Sequence, residues 1–478
     1  MIRFGTDGWR AVIADTFTFA NLRSVAQAVA DHVNRQHTGD APPEVVVGYD
    51  TRFLSDRFAM ETARVLAGNE IVTWLTRTDA PTPAISYNVK EKCAAAGVVI
   101  TASHNAPRYN GFKLKATYGG SATAEQCALI EEELATMEAE ARGPNIMDYQ
   151  QATEDGLIRR FDPSWPYYQH LSTLVDLDLI SEGHLNVVTD AMWGAGRGAF
   201  RDILQRTRTQ VHEIRGALNP GFGGIHPEPI MRHLNELVAA VQRSQADFGI
   251  ATDGDADRIG AIDARGNFID PHHIMALALR HLVEHKGQRG DVVKTISTTL
   301  MLDTLAQKHN LKLHETPVGF NYIGDLMMRE DVLIGGEESG GISIRGHIPE
   351  GDGILMGLLL MEIMAVNQAP IHEIVAALQA DCGPAMYARL DVKVAQQRPK
   401  KQLVAALADN APSTMIGETV VRVDTRDGVK FYLGDGSWLL IRPSGTEPVL
   451  RIYAECRSTA ACDALLAEGD ALGKRFTQ

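Results

Sequence analysis

Ser103, His104 and Asn105 follow, after Ala102, on a run of β-branched residues, Val98, Val99, Ile100 and Thr101. The pattern reads as a buried strand that empties into a polar loop, and chemistry in open α/β folds sits at such strand ends. A loop serine is ordinarily a turn former or a helix cap. Here, however, Gly111 and the basic Lys113 share a short segment with His104, company that suits a hydroxyl which takes on and gives up a charged group. Ser103 is therefore a candidate nucleophile.

Three further stretches could do chemistry. The apolar run DFGIAT (247–252) ends in DGDADR, where Asp253, Asp255 and Asp257 crowd carboxylates that repel one another unless a cation sits among them. An EF-hand does not fit, because its sixth position needs glycine and holds Arg258, and its twelfth needs glutamate and holds Ala264. Magnesium, typically bound by few carboxylates plus a phosphate or water, fits better. In GGEESGGISI, Glu337 and Ser339 stand on a glycine-flanked loop suited to sugar hydroxyls, although such a loop alone also reads as a plain turn. In RPSGTEPVLRIY, Arg442, Ser444, Gly445, Thr446 and Arg451 offer guanidinium forks, hydroxyls and backbone amides, the groups that cradle a phosphate dianion.

TASHNAPRYNGFK resembles the catalytic serine loop of the α-D-phosphohexomutase family, which includes phosphoglucomutases, phosphomannomutases and phosphoglucosamine mutases. The other motifs resemble that family's loops in the same chain order. DGDADR is similar to its metal loop, GGEESGGISI and PVGFNYIG (317–324) to active-site segments of its third domain, and RPSGTEPVLRIY to its phosphate loop. FGTDGWR is similar to the N-terminal loop whose arginine, here Arg10, approaches the phosphoserine. One departure is visible: Ala106 precedes Pro107, where the family usually has proline directly after SHN.

The resemblance implies that Ser103 is carried as a phosphoserine and that Asp253, Asp255, Asp257 and a phosphoserine oxygen hold Mg2+. Phosphoryl transfer would pass through a hexose 1,6-bisphosphate, which also serves as activator and must turn round to regenerate the phosphoserine. Lys113 and His104 are candidates for proton transfer and charge stabilisation, with Arg10 assisting. Arg258, Glu337 and Ser339 would bind the sugar, and Arg442, Ser444, Gly445, Thr446 and Arg451 the phosphate it already carries. The implied architecture is α/β: three related α/β/α units with mixed sheets (1–150, 151–265 and 266–383) and a C-terminal α+β domain with an antiparallel sheet (384–478), around a central cleft. A C-terminal domain that opens and closes is expected with it.

GEES resembles the sugar loop of glucomutases more than the GEMS or GEQS of mannose and glucosamine types, and VGF rather than VGH is similar to glucomutases too, which implies glucose phosphates, with mannose phosphates as a second activity. Asn321, where glucomutase-like sequences often have lysine, and Gly341, where mannomutases often have histidine, keep phosphomannomutase and phosphoglucosamine mutase as alternatives. From other classes come a sugar-phosphate phosphatase and a non-catalytic sensor. Gly194, Gly196 and Ala199 also satisfy G-x-G-x-x-A after a strand, with Glu213 about where a ribose-binding acid would stand, which is a competing dinucleotide reading.

The elements that must position these loops alternate. VVVGY (45–49), IVTWL (71–75), LNVVTD (185–190), VVKTI (292–296), KLHET (312–316) and VLIGG (332–336) read as strands separated by helices, which implies parallel or mixed sheets. Leu22, Val25, Ala26, Val29 and Val33 recur at helical spacing, and Ser55 is a candidate cap for a helix to about Gly68. From about residue 385 the rhythm changes to short strands joined by turns.

A net charge of −14 argues against nucleic acid as a partner. Small sugar phosphates remain possible if basic residues gather locally. The five cysteines are odd in number and lack CxxC spacing, which reads as reduced thiols in a cytoplasm. MIRFGTDGWR is too polar for a signal peptide and Ile354–Met364 too short to span a bilayer, so no membrane is expected. The expected assembly is a monomer or homodimer.

Overall fold

The computed structural model describes residues 2–5, 7–394, 399–443 and 449–477. They form two compact units: one is the chain up to Gly290 with Gly319–Ile374, the other Asp291–Val318 with the chain from Val375.

In the first unit, the strands Glu44–Tyr49, Val72–Thr76, Ala96–Ile100 and Ile158–Phe161 form the parallel part of a mixed sheet. Tyr109–Lys115 and Trp9–Val12 extend it antiparallel. Their registers gather the chemistry. Tyr49 aligns with Ile100, so the chain leaves adjacent strand ends as Asp50 and Thr101. Arg10 aligns with Gly111, and Lys113 with Val99. The helix Phe19–Gln36 is capped by the Thr18 hydroxyl, which accepts from the Asn21 amide at 3.2 Å. It buries Leu22, Val25, Ala26, Val29 and Val33, the face read from the sequence. Ser55 is not a cap: it is the first residue of the helix Ser55–Ala67, and the capping position is Leu54 in a left-handed conformation. Its hydroxyl donates instead to Asp50 Oδ1 at 2.9 Å.

A second sheet of this unit sets Asn186–Asp190 between Gln210–Ile214 and Phe248–Thr252, all parallel, and folds Ile259–Asp263 back antiparallel on Phe248–Thr252. The dinucleotide reading fails here. Glu213 Oε1 accepts from the Gly198 amide at 2.6 Å, so the acid that would grip a ribose is already engaged. The helix that follows, Ala199–Leu204, is short.

Val332–Gly336 and Ile342–Ile344 form a further antiparallel pair. The neighbouring helix Gly353–Asn367, capped by Asp352, is buried on nearly every side, which explains its unbroken apolar run. Among the described residues no single helix is long and apolar enough to cross a membrane.

The second unit pairs Asp291–Thr295 with Leu313–Thr316 in parallel. Its antiparallel sheet orders Met386–Lys393, Val449–Cys456, Trp438–Pro443, Val429–Leu433, Glu418–Asp424 and Thr414–Met415, flanked by the helices Lys400–Asp409 and Thr459–Thr477. The two parts of this unit share a core of Ile296, Trp438, Leu440 and Tyr453. Cys93, Cys127, Cys456 and Cys462 are free thiols.

Leu355 is fully buried in the helix Gly353–Asn367. Leu355→Ala is expected to cost about 2–5 kcal/mol through lost transfer energy and a residual cavity. The check is the midpoint of urea unfolding, which should fall.

Candidate functional site

Three loops that could do chemistry are connections of antiparallel hairpins rather than strand-to-helix turns. Residues 101–108 join Ala96–Ile100 to Tyr109–Lys115, residues 253–258 join Phe248–Thr252 to Ile259–Asp263, and residues 337–341 join Val332–Gly336 to Ile342–Ile344. All three belong to the first unit.

The serine and aspartate loops meet. Ser103, fully buried, donates from Oγ to Asp253 Oδ2 at 2.7 Å, and its Oγ lies 3.4 Å from His104 Nδ1. Its φ of +51° is a left-handed conformation that few non-glycine residues adopt. The loops touch through backbone as well: a Cβ on Gly254 would fall 2.4 Å from the Ser103 carbonyl oxygen. Only glycine permits that approach.

The aspartates offer ligand atoms within 4.8 Å of one another, and all three side chains are buried. Lys113 Nζ lies 2.9 Å from Asp255 Oδ2, 2.7 Å from Asp257 Oδ2 and 2.7 Å from Asp7 Oδ2. Burial opposes the Lys113 charge, but these carboxylates outweigh it and hold the ammonium well above its ordinary range. Burial likewise works to raise Asp255, yet Lys113 and a hydrogen bond from Thr82 carry it well below the usual carboxylate range. Asp253, farther from the ammonium, is pushed up by burial and by the charges of Asp257 and Asp255. Asp255 Oδ1 and Asp257 Oδ1 are buried with no hydrogen-bond partner, which leaves oxygen lone pairs for a hard divalent cation. The donor set fits such an ion.

Arg10 is brought to the same place. Its Nη1 donates to Asn105 Oδ1 at 2.8 Å and its Nη2 to Asp7 Oδ2 at 3.2 Å. The Arg258 amide donates to Asp253 Oδ1 at 3.3 Å, and its Nε lies 3.7 Å from Asp257 Oδ1. The 337–341 loop packs on the aspartate hairpin, since a Cβ on Gly340 (φ +97°) would meet the Ile259 carbonyl oxygen at 2.7 Å. Glu337 Oε1 accepts from the Gly319 amide at 2.8 Å, and Ser339 Oγ donates to Glu337 Oε2 at 3.5 Å. Burial, reinforced by Glu338 and opposed by Arg258, pushes the Glu337 carboxyl up to about 7.

In the second unit Arg442 and Arg451 stand directly opposite each other on adjacent strands. Arg442 Nε donates to Asp427 Oδ2 at 2.8 Å, and Arg451 Nε is buried without a hydrogen-bond partner. Paired cations of this kind favour an anion between them. Ser444, Gly445 and Thr446 lie outside the described residues.

Sequence reasoning missed the groups that support these side chains. Asp7 was overlooked inside FGTDGWR, although its carboxylate contacts Lys113 and Arg10. Lys115 Nζ donates to Glu350 Oε2 at 2.5 Å and to Ser121 Oγ at 3.2 Å. Thr82 Oγ1 donates to Asp255 Oδ2 at 2.6 Å. Asp50 and Arg52, in DTR after the strand Glu44–Tyr49, could have been found by asking what leaves the strand end beside Ile100. Thr82 and Glu350 carry no such local signal.

Comparison with known proteins shows what the chain is similar to. Residues 1–141, 165–266 and 270–381 match the phosphoglucomutase/phosphomannomutase alpha/beta/alpha domains I, II and III, and residues 390–471 match the C-terminal domain of the same family. A phosphoglucomutase/phosphomannomutase of Thermococcus kodakarensis is 31% identical over 95% of this chain and 94% of its own. A phosphoglucosamine mutase of Bacillus subtilis is 30% identical over 96% of this chain and 95% of its own. The crystal structure of a protein described as a putative phosphomannomutase from Thermus thermophilus superimposes with a TM-score of 0.86 at 34% identity, covering 99% of both chains.

Removing the Thr82 hydroxyl leaves the aspartates in place but frees Asp255 to reorient. Thr82→Val is expected to weaken Mg2+ or Mn2+ binding by about 10–100-fold, measured by titration calorimetry, with an unfolding midpoint close to that of the parent protein.

Proposed function

The chain belongs to the phosphoglucomutase/phosphomannomutase family, and from that premise we propose that it interconverts the 1- and 6-phosphates of glucose, and secondarily of mannose, through a phosphoserine at Ser103. Members of the family are phosphohexomutases, so isomerisation by intramolecular phosphoryl transfer is the chain's reaction. The observation that carries the finer reading is the buried Ser103 hydroxyl donating to Asp253 at 2.7 Å. A buried serine hydroxyl bonded to one carboxylate of a cluster that a lysine also contacts suits a phosphoryl carrier.

In this reading the bond from phosphorus to Ser103 Oγ breaks as an oxygen of the sugar forms a new one, giving a hexose 1,6-bisphosphate. The sugar hydroxyl gives up one proton as that bond forms and Ser103 Oγ takes up one as its bond to phosphorus breaks, and the return transfer reverses this and restores the phosphoserine after the bisphosphate turns round. Mg2+ held by Asp253, Asp255 and Asp257 neutralises phosphoryl charge when bound. Lys113, kept as an ammonium by its carboxylates, offsets the same charge, and Arg10 assists. His104 Nδ1, 3.4 Å from Ser103 Oγ, is placed to take or return a proton there. Arg258, Glu337 and Ser339 bind the sugar. Arg442 and Arg451, with Ser444, Gly445 and Thr446, take the phosphate already present. The ligands are small sugar phosphates rather than nucleic acid or membrane, which suits the net charge of −14. The protein works in a cytoplasm as a monomer or homodimer.

The preference for glucose is supported by GEES and by Phe320 of VGF. A side chain at Gly341 would start 3.4 Å from the Phe320 ring, so the two positions that speak on sugar choice are spatial neighbours.

The deciding assay offers glucose 1-phosphate, mannose 1-phosphate and glucosamine 1-phosphate separately, with Mg2+ and a trace of the matching bisphosphate. The glucose substrate is expected to give the highest kcat/KM; a higher value for either other sugar overturns the sugar assignment, and phosphate release without isomerisation makes the protein a phosphatase. Ser103→Ala should lower kcat by about 1000-fold or more.

Because Glu337 is held near 7, its ionised, hydroxyl-accepting form becomes the major one only as the pH rises through about 7. kcat/KM is therefore expected to climb across that range. Glu337→Gln, which cannot ionise, should show a lower kcat/KM without the climb.

A further inference from the structure

Arg52 has no part in the scheme above, yet it is only 3% exposed. Its guanidinium is enclosed by acceptors. Nη2 donates to the carbonyl oxygens of Ser103 and Asn105, each at 2.6 Å. Nη1 donates to those of Ala106 and Tyr109, each at 3.0 Å. Nε lies 3.1 Å from Asp50 Oδ2, and the Phe222 ring packs 4.9 Å from the guanidinium carbon. Burying a guanidinium is unfavourable unless its donors are satisfied; Nε has no hydrogen-bond partner beyond its ion pair with Asp50, and both Nη groups are satisfied by the segment that carries the nucleophile.

The serine is held from its other side by the same pair. The Ser103 amide donates to Thr101 Oγ1 at 2.9 Å, and that hydroxyl donates to Asp50 Oδ2 at 2.6 Å. Both flanks of the left-handed Ser103 therefore end on Asp50 and Arg52. The pair is itself keyed to the aspartate-bearing part of the unit: Thr51 Oγ1 donates to the Trp193 carbonyl at 2.7 Å, and Phe222 belongs to that part. The clamp and the aspartate hairpin thus share a foundation.

We propose that Arg52 is a positioning residue for phosphoryl transfer, acting through the Ser103 backbone to keep Oγ aimed at the aspartate loop both with and without its phosphoryl group. The inference rests on the phosphoserine reading. In each cycle the serine surrenders a dianionic group and must recover it from an intermediate that has turned round. A left-handed residue released from its restraints relaxes toward ordinary backbone geometry. Such relaxation would spoil the return transfer more than the binding of the sugar, and the intermediate would escape before the cycle closes.

The test compares the full-length parent protein with Arg52→Lys and Ser103→Ala on whichever hexose 1-phosphate the parent isomerises best. Steady-state rates are taken with and without added hexose 1,6-bisphosphate, phosphoserine occupancy is followed by intact mass, and folding is followed by the thermal midpoint. For folded Arg52→Lys the expected result is a kcat lower by about 100-fold with KM unchanged within about threefold, since a small misplacement of a reacting atom costs that much. It should also need more bisphosphate to stay phosphorylated. A kcat within about threefold of the parent, or a loss confined to KM, overturns the proposal. If Arg52→Lys does not fold, Thr101→Val is read in the same way, with an expected fall in kcat of about tenfold for the lost hydrogen bonds; an unchanged kcat again overturns it. Activity retained by Ser103→Ala sinks the phosphoserine reading itself, whereas an inactive Ser103→Ala beside a normal Arg52→Lys sinks only the positioning role.

Discussion

Buried carboxylates on one short hairpin repel one another, and the first unit exists as a functional object because that repulsion is answered. Lys113 answers it from a different sheet, with Nζ within 2.9 Å of Asp255 and 2.7 Å of Asp257. Breaking such a buried pair leaves an uncompensated charge, which is far costlier than losing a surface salt bridge. The pairing therefore ties the serine-bearing sheet to the aspartate-bearing one and aligns Ser103 with Asp253. It does not satisfy every oxygen. The Oδ1 atoms of Asp255 and Asp257 have no hydrogen-bond partner, so the same cluster that holds the fold together has oxygen atoms that could hold a metal ion.

Hairpins explain why this geometry recurs. Three of the first unit's loops, 101–108, 253–258 and 337–341, leave a strand and return on an antiparallel neighbour, so both ends of each are fixed by sheet hydrogen bonds. A loop pinned at both ends keeps unusual backbone, such as the positive φ of Ser103 and Ala256, at lower risk of collapse than a loop feeding a mobile segment. Glycines at Gly254 and Gly340 then let the loops press together backbone to backbone. Gly8, at φ +93°, does the same for the N-terminal loop, where a Cβ would fall 2.4 Å from the Phe112 carbonyl oxygen. The result is a dense cluster of charge in a chain whose net charge is −14, with Arg10, Lys113 and Lys115 gathered on Asp7 and Arg258 beside Asp257.

The second unit follows a different logic. Its antiparallel sheet sets Arg442 and Arg451 side by side, a repulsive pairing that a phosphate would relieve. Lys430 is buried in the same sheet, donating to the Ile296 carbonyl at 2.6 Å and resting 4.1 Å from the Trp438 ring, and burial together with Lys294 pulls its ammonium down to about 7.

Types of residue, their local spacing and the alternation of apolar runs with polar loops were enough to locate strands, the polar loops they empty into and the triple aspartate, because those signals are written over a few neighbouring positions; that three of those loops are hairpins was not among them. Ser103, Asp253, Lys113 and Glu337 were each legible as members of a motif. What no local pattern contains is which motif faces which. Ser103 meets Asp253 across 150 positions and Lys113 meets Asp257 across 144, distances in sequence at which hydrogen bonding leaves no periodic trace. The same limit hid the clamp at Asp50 and Arg52 and the capture of Glu213 by Gly198, and it made Ser55 look like a helix cap. Only the tertiary structure decides these, because a side chain's partner is chosen by strand register and sheet packing, while the sequence around it records no more than which partners it could accept.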